Sequence, residues 1–174
     1  DKTLEEAFRE IPTTAWGFAR KALSGLDHLE GETVSILADG AVHTQQLVTS
    51  GAIELDHPAV VVQVGLPIQA DLQTLPLTLQ VDHAFGQGKF KNINRAWLRV
   101  IRSAGIYVGP DENHLLEIKQ RTTEVYGAPP ELRTEELDIM LTPSWVEGGP
   151  VYIRQADPLP MALSALTLEV SMGG

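Results

Sequence analysis

Residues 25–40 read Gly-Leu-Asp-His-Leu-Glu-Gly-Glu-Thr-Val-Ser-Ile-Leu-Ala-Asp-Gly, and this stretch decides the fold class. Apolar Val34, Ile36 and Ala38 recur at every second position, which is the period of a β-strand with one buried face. Asp39-Gly40 follows directly and supplies a two-residue turn that tolerates positive φ. The stretch therefore predicts part of a β-hairpin and not an active site.

The same period of two continues through most of the remaining chain. Short apolar segments are separated by Gly, Pro, Asn and Asp, which are the residues that dominate turns. The β-branched run 59–64 is predicted as a central strand, and 93–103, whose spacing also fits a helix, is predicted as a strand. The full set of predicted strands is 32–38, 41–48, 52–55, 59–64, 93–103, 105–110, 115–123, 137–141, 151–155 and 161–170. Many short strands at close spacing predict a mainly β fold, either an antiparallel β-sandwich or one or more small β-barrels.

The N-terminal residues follow a different pattern. Thr3-Leu-Glu-Glu6 is a capping box, and apolar residues follow it at helical spacing. Residues 1–24 are therefore predicted as a short helical segment, the end of a preceding region of a longer polypeptide. Residues 25–174 are predicted as the β-rich domain, with an alternative division into two subdomains near 85–92.

Composition excludes several kinds of function. The 174 residues include no cysteine, which removes disulfides, thiolate zinc sites and cysteine nucleophiles. The longest apolar runs, such as 59–62, are too short to cross a bilayer, and no membrane insertion is predicted.

The motifs that could carry catalysis or metal binding are incomplete. Three Asp-His dipeptides, Asp27-His28, Asp56-His57 and Asp82-His83, suggest a metal site or an oriented base. Adjacent side chains of a strand point to opposite faces, however, so one dipeptide cannot aim both groups at one metal. The Gly-x-Ser-x-Gly turn of serine hydrolases is absent, and Gly86-Gln-Gly-Lys89 lacks the full spacing of a phosphate-binding loop. We predict no catalytic residue, no cofactor and no metal; a hydrolase would need acidic pairs and a histidine to converge in one pocket.

Charge is distributed unevenly along the chain. The net charge is −10, and residues 22–88 contain no Lys or Arg. The predicted acidic lumen or docking face consists of Asp27, Glu30, Glu32, Asp56, Asp71 and Asp82. The predicted basic contact strip consists of Lys89, Lys91, Arg95, Arg99 and Arg102. Opposite charges on different faces favour head-to-tail docking of neighbouring copies, whereas the acidic total opposes nucleic-acid binding by the strip. The alternative is an ordinary solvated surface.

Several short motifs are similar to one family. They are Gly25-Leu-Asp-His-Leu-Glu-Gly31, Ala38-Asp-Gly40, Val64-Gly-Leu-Pro67, Leu98-Arg-Val100, Val108-Gly-Pro110, Ser144-Trp145, Ile153-Arg-Gln155 and Asp157-Pro-Leu-Pro160, with Gly173-Gly174 at the end. Over residues 23–174 they resemble the C-terminal part of phage and prophage tail proteins, the distal tail-tube, hub or nozzle components of short-tailed phages. The resemblance implies a structural virion protein with no catalytic residues. It also implies a ring of identical subunits that holds other tail proteins around the DNA channel, placed in the virion tail and, during assembly, in the bacterial host cytoplasm.

A second hypothesis uses the aromatic residues. A β-sandwich that binds a carbohydrate or a receptor would present Trp97, Trp145, Tyr107 and Tyr126 as candidate contacts. Exposed aromatic side chains in one groove would favour this hypothesis, whereas burial of both tryptophans in the core would favour a scaffolding role.

Overall fold

The computed structural model describes residues 19–78, 80–81, 84–85, 88–118 and 128–173, and these residues form antiparallel β-sheets. The strands are β1 (Arg20–Ser24), β2 (Thr33–Ala38), β3 (Ala41–Leu47), β4 (Ala52–Ala59), β5 (Val62–Gly65), β6 (Ala70–Gln73), β7 (Gln80–Val81), β8 (Ala84–Phe85), β9 (Lys91–Val100), β10 (Ile106–Gly109), β11 (Leu116–Glu117), β12 (Glu136–Met140), β13 (Tyr152–Gln155) and β14 (Leu163–Met172). Within the described residues, the helical element is a 3₁₀ turn at Asp27–Leu29. The predicted mainly β, antiparallel fold is confirmed.

The chain divides into two compact units. The first unit contains residues 19–68 and 128–130, and the second contains the described residues of 69–118 and 131–173. The boundary therefore lies between Ile68 and Gln69 and not near 85–92. The physical reason is that β6 pairs with β13 and so belongs to the second unit.

The first unit is built around the predicted hairpin. β2 and β3 are joined by Asp39 and Gly40, whose φ values of 47° and 83° are those of a turn with two left-handed residues. One sheet has the order β3-β2-β5 and a second pairs β1 with β4. Both sheets contribute to one apolar core, formed by Val34, Ile36, Ala38, Val48, Ile53, Leu55 and Ala59.

Two sequence predictions for this unit are wrong. The run 59–64 is not a central strand: its second half begins β5 at a sheet edge, and Val60 and Val61 are exposed. The Asp39 carboxylate accepts hydrogen bonds from the amides of Val60 and Val61, which holds a turn where a continuous strand was expected. Arg20–Ser24 is not helical, because pairing with β4 supplies backbone hydrogen bonds that local spacing does not reveal. The helix predicted after the capping box at residues 3–6 lies outside the described residues.

The second unit is a β-sandwich. One sheet has the order β11-β10-β13-β6 and the other has the order β12-β9-β14. Both sheets line a single core that includes Leu98, Ile106, Val108 and Ile153, each at most 1% exposed. The predicted strand at 93–103 is confirmed as β9, and its central place in a three-stranded sheet accounts for its burial.

One extra residue in β9 decides which side chains reach the surface. The register against β14 shifts at Asn94, so that Arg95 is opposite Glu169 and Ile93 is opposite Val170. Before this bulge the odd-numbered residues point inward, and after it Ala96, Leu98 and Val100 do so. Arg95, Trp97 and Arg99 therefore share the outward face of the sheet.

Candidate functional site

The outward side of the sheet β12-β9-β14 is the candidate site, and we call it the outer face. The antiparallel registers place its side chains in three rows, each with one residue from β12, one from β9 and one from β14. The rows are Met140, Arg95 and Glu169; Asp138, Trp97 and Thr167; and Glu136, Arg99 and Ala165. All six residues from the two flanking strands are exposed. The surface thus has a tryptophan at its centre.

The outer face carries both signs of charge. The Arg95 guanidinium (Nη1) donates to Asp138 Oδ2 at 3.1 Å, and Glu169 is opposite Arg95 on the other side. Glu136 is opposite Arg99 in the register, although the described residues form no ion pair with Arg99. Two arginines are therefore interleaved with three carboxylates, and the face has no basic character of its own.

The structure brings together only two residues of the predicted basic strip, Arg95 and Arg99. Lys91 is 1% exposed, and its ammonium donates to the carbonyl oxygens of Glu147 at 2.8 Å and Lys89 at 3.2 Å. This makes Lys91 a buried structural residue and not a surface contact. Lys89 and Arg102 are exposed but lie outside the strand, before its start and after its end.

The predicted acidic set is divided between the two units. Asp27, Glu30, Glu32 and Asp56 are exposed in the first unit. The Glu30 carboxylate accepts hydrogen bonds from the amides of Ser50 at 2.9 Å and Gly51 at 2.6 Å, so Glu30 also has a structural role.

The remaining members of the acidic set are Asp71 and Asp82. Asp71 belongs to the second unit, where its carboxylate accepts from Arg154 Nε at 2.7 Å. The hydrogen bond with Arg154 holds the pKa of Asp71 at about 2, below its usual value of 3.8. Asp82 lies outside the described residues. The described members of the predicted set are therefore divided between the two units, four in the first and Asp71 in the second.

The candidate aromatic contacts do not share one groove. Trp97 lies on the outer face, whereas Tyr107 lies on the outward side of the other sheet of the sandwich. These two faces are on opposite sides of the core that both sheets enclose. Trp145 is 52% exposed in the segment after β12, and Tyr126 lies outside the described residues.

The described residues contain no group of three His, Asp or Glu side chains that could hold a metal ion. Of the three Asp-His dipeptides, those at 27–28 and 56–57 are exposed and the third lies outside the described residues. The structure does pair His114 Nδ1 with Asp111 Oδ1 at 2.8 Å, and this hydrogen bond lowers the pKa of Asp111. Both side chains are exposed within one tight loop, which is the geometry of a surface turn.

Six members of the outer face were not predicted as contacts, namely Glu136, Asp138, Met140, Ala165, Thr167 and Glu169. The alternation in β12 and β14 marks each of them as outward-facing once the strands are known. Their position beside β9 depends on pairing across more than 35 residues of sequence, for which no local pattern exists.

A scan against protein-family models gives no match to this chain, and a search of curated proteins gives no significant match. Within the part of the chain that the structure describes, no helix has the length and apolar composition needed to span a membrane.

Proposed function

We propose that this chain is a non-enzymatic structural protein of a phage or prophage tail that acts through protein–protein contacts in a homo-oligomer. The resemblance of its motifs to those of tail proteins supports the assignment of the chain to a phage or prophage tail. The outer face supports the mode of action, and it is the observation that carries the proposal. The expected partners are further copies of the chain, arranged in a ring, and other tail proteins, first in the host cytoplasm and then in the virion tail.

The outer face combines four side chains of types enriched at protein interfaces with three carboxylates, a depleted type. Trp, Arg and Met are enriched at protein interfaces, and the residues that dominate binding energy cluster near the centre of the contact. Trp97 occupies the middle row, Arg95 and Arg99 flank it along β9, and Met140 is 68% exposed beside them. Flanking carboxylates give such a surface specificity, because a partner with misplaced charges is repelled.

The same face is poorly suited to binding nucleic acid. Phosphate binding requires clustered lysines and arginines, whereas here three carboxylates surround two arginines. A groove at one end is lined by Arg99, Val100, Ile101, Thr134, Glu135 and Glu136. That lining contains neither a nucleophile paired with a histidine nor a metal-binding set, which supports a role in contact and not in catalysis.

Two measurements test this proposal. Gold-labelled antibodies against the chain should mark one end of the tails of particles induced from a strain that carries the gene. Absence of label from purified particles would refute the tail assignment.

The second measurement compares two tryptophan variants by sedimentation velocity. Trp97→Ser should weaken self-association roughly tenfold or more, as expected for a central interface tryptophan. Trp145→Ser is the matched control, because Trp145 is exposed but lies outside the outer face. Equal association of both variants and the parent chain would refute the role of the outer face.

Binding of a carbohydrate or receptor is the second candidate function, favoured by one observation. Phe90 and Trp145 are 56% and 52% exposed, and a Cβ added at Gly173 would be 3.5 Å from Phe90 Cβ and 3.6 Å from Trp145 Cζ3. Exposed aromatic side chains that begin close together can stack on the apolar face of a sugar. Titration of glycans against tryptophan fluorescence, repeated with Trp145→Ser, tests this: a saturable change that the variant abolishes would support it.

A further inference from the structure

β14 is a long strand at the edge of its sheet. It contains ten residues, Leu163–Met172, and pairs only with β9 in the part of the chain that the structure describes. Natural edge strands are commonly protected by lysine, proline or short length. β14 has none of these, and Glu169 is its one charged residue. A β-bulge can also protect an edge, but the bulge in β14, at Ser164, lies outside the regular register from Ala165 to Glu169. Its free edge is therefore open to a further strand.

The apolar core is also incomplete on the β14 side. On β12, the opposite edge strand, the inward side chains of Leu137 and Ile139 are each only 8% exposed. By contrast, the inward residues of β14 are only partly buried, namely Leu163, Leu166, Leu168 and Val170. A strand added beside β14 would cover these side chains and gain the free energy of apolar burial.

We infer that the occupant of this edge is β14 of a second copy, paired antiparallel about a two-fold axis at Thr167. This inference rests on the proposed self-assembly of the chain and specifies its partner and register. Opposed residues of an antiparallel pair point to the same side of the sheet. A two-fold axis at a residue position therefore keeps both cores on one side and makes a continuous six-stranded sheet, in which Ala165 is opposite Glu169 of the second copy.

Charge favours this register. Each Glu169 would be opposite the small Ala165 of the other copy, so the two carboxylates do not face each other. The next residue in that row is Arg99 of the second copy, because Arg99 is opposite Ala165 within the subunit. Strands are about 4.8 Å apart, so the long arginine side chain can extend over the alanine toward Glu169. Two such ion pairs form by symmetry, and they use an arginine that has no ion pair among the described residues.

Head-to-tail pairing of β14 with β12 is less favourable. β12 has five residues against ten in β14, which leaves half of the edge unpaired. It would also bring Glu136 and Asp138 toward Glu169, and like charges on neighbouring strands are destabilising. A two-fold pair closes on itself, so a ring assembled from such pairs needs a second and different contact.

Cysteine cross-linking tests the register directly, because the chain contains no cysteine of its own. Thr167→Cys should form a disulfide dimer on mild oxidation, since the axis places residue 167 opposite its own copy. Ala165→Cys and Glu169→Cys should each cross-link poorly alone but should form a heterodimer when mixed. Thr44→Cys, exposed on β3 in the first unit, is the control and should form no disulfide-linked dimer. Cross-linking that does not depend on position would overturn the inference.

A charge exchange tests the ion pair. Arg99→Glu and Glu169→Arg should each weaken self-association by about fivefold or more, and the double variant should recover most of it. Lys89→Glu, an exposed change outside the sheet, should have little effect, and circular dichroism should show that every variant is folded. A chain that self-associates without the cysteine pattern or the charge recovery would overturn the β14 pairing while leaving the proposed function intact. A chain that stays monomeric would also overturn the pairing, and the tail assignment would then be decided by the gold labelling.

Discussion

Replacement of Lys91 separates a structural role from a surface role. The side chain is 1% exposed, and its ammonium donates to the carbonyl oxygens of Glu147 and Lys89. Its aliphatic stem packs against Gly149, where an added Cβ would be 3.1 Å from that of Lys91. We therefore expect Lys91→Met, which keeps the stem, to lower stability through the loss of the two hydrogen bonds, and Lys91→Glu to lower it much more.

The expected magnitudes follow from the two acceptors. Lys91→Met removes two part-buried hydrogen bonds made by a charged donor, and the loss of hydrogen bonds to a charged group costs about 1.5–3 kcal/mol. Lys91→Glu buries an unpaired carboxylate against the same two oxygens, at a cost of roughly 3–5 kcal/mol. For a chain of this length, 1 kcal/mol shifts Tm by about 2–4 °C. A loss of about 2 kcal/mol in Lys91→Met thus lowers Tm by roughly 4–8 °C.

Urea denaturation followed by circular dichroism measures these changes, and sedimentation velocity measures self-association in parallel. Lys89→Glu is the matched control, because its side chain is exposed two residues away and should change stability by no more than about 0.5 kcal/mol. A Lys91→Glu protein that is as stable as the parent but self-associates more weakly would refute the reasoning. It would identify Lys91 as a surface contact residue of the basic strip.

Two further predictions concern carboxylates. Asp39→Ala should lower the free energy of unfolding by about 1–2 kcal/mol in urea denaturation, because it removes the acceptor for the amides of Val60 and Val61. Asp39→Asn keeps one acceptor oxygen and should lower the free energy of unfolding less. Equal losses in the two variants would contradict this account. Asp71 has its pKa lowered to about 2 by Arg154, so its ion pair stabilises the fold above pH 3.8 and that contribution is lost as the pH falls from 3.8 through 2. Asp71→Asn should therefore show a smaller decrease in urea midpoint between pH 4 and pH 2 than the parent chain, and parallel curves would contradict the assignment.

Local pattern was sufficient to identify most strands. The hairpin over β2 and β3, the strands β9, β12, β13 and β14, and the turn at Asp39-Gly40 were all predicted from alternation and turn residues. The misplaced elements were those in which a distant partner intervened. Arg20–Ser24 became a strand by pairing with β4, and the turn at Val60 and Val61 is held by the Asp39 carboxylate.

The arginines of the outer face could be predicted as contact residues from the sequence, whereas its carboxylates could not. Arg95 and Arg99 were identified as contact residues from the clustering of positive charge, but the same pattern included Lys91, which is buried. The bulge at Asn94 reverses the inward and outward positions of β9, and its location depends on the register against β14. The carboxylates that neutralise the arginines come from strands more than 35 residues further along the chain.

The amino-acid sequence by itself determined that the chain is mainly β, where its hairpin turns and which chemistry a chain without cysteine excludes. These properties depend on neighbours within a few residues, because alternation and turn geometry are local. The tertiary structure alone decided that Arg95, Trp97 and Arg99 share a face with Glu136, Asp138 and Glu169, and that β14 pairs on one side only within the described part of the chain. Those outcomes depend on which backbones exchange hydrogen bonds across long stretches of chain, and only the packed sheets specify that pairing.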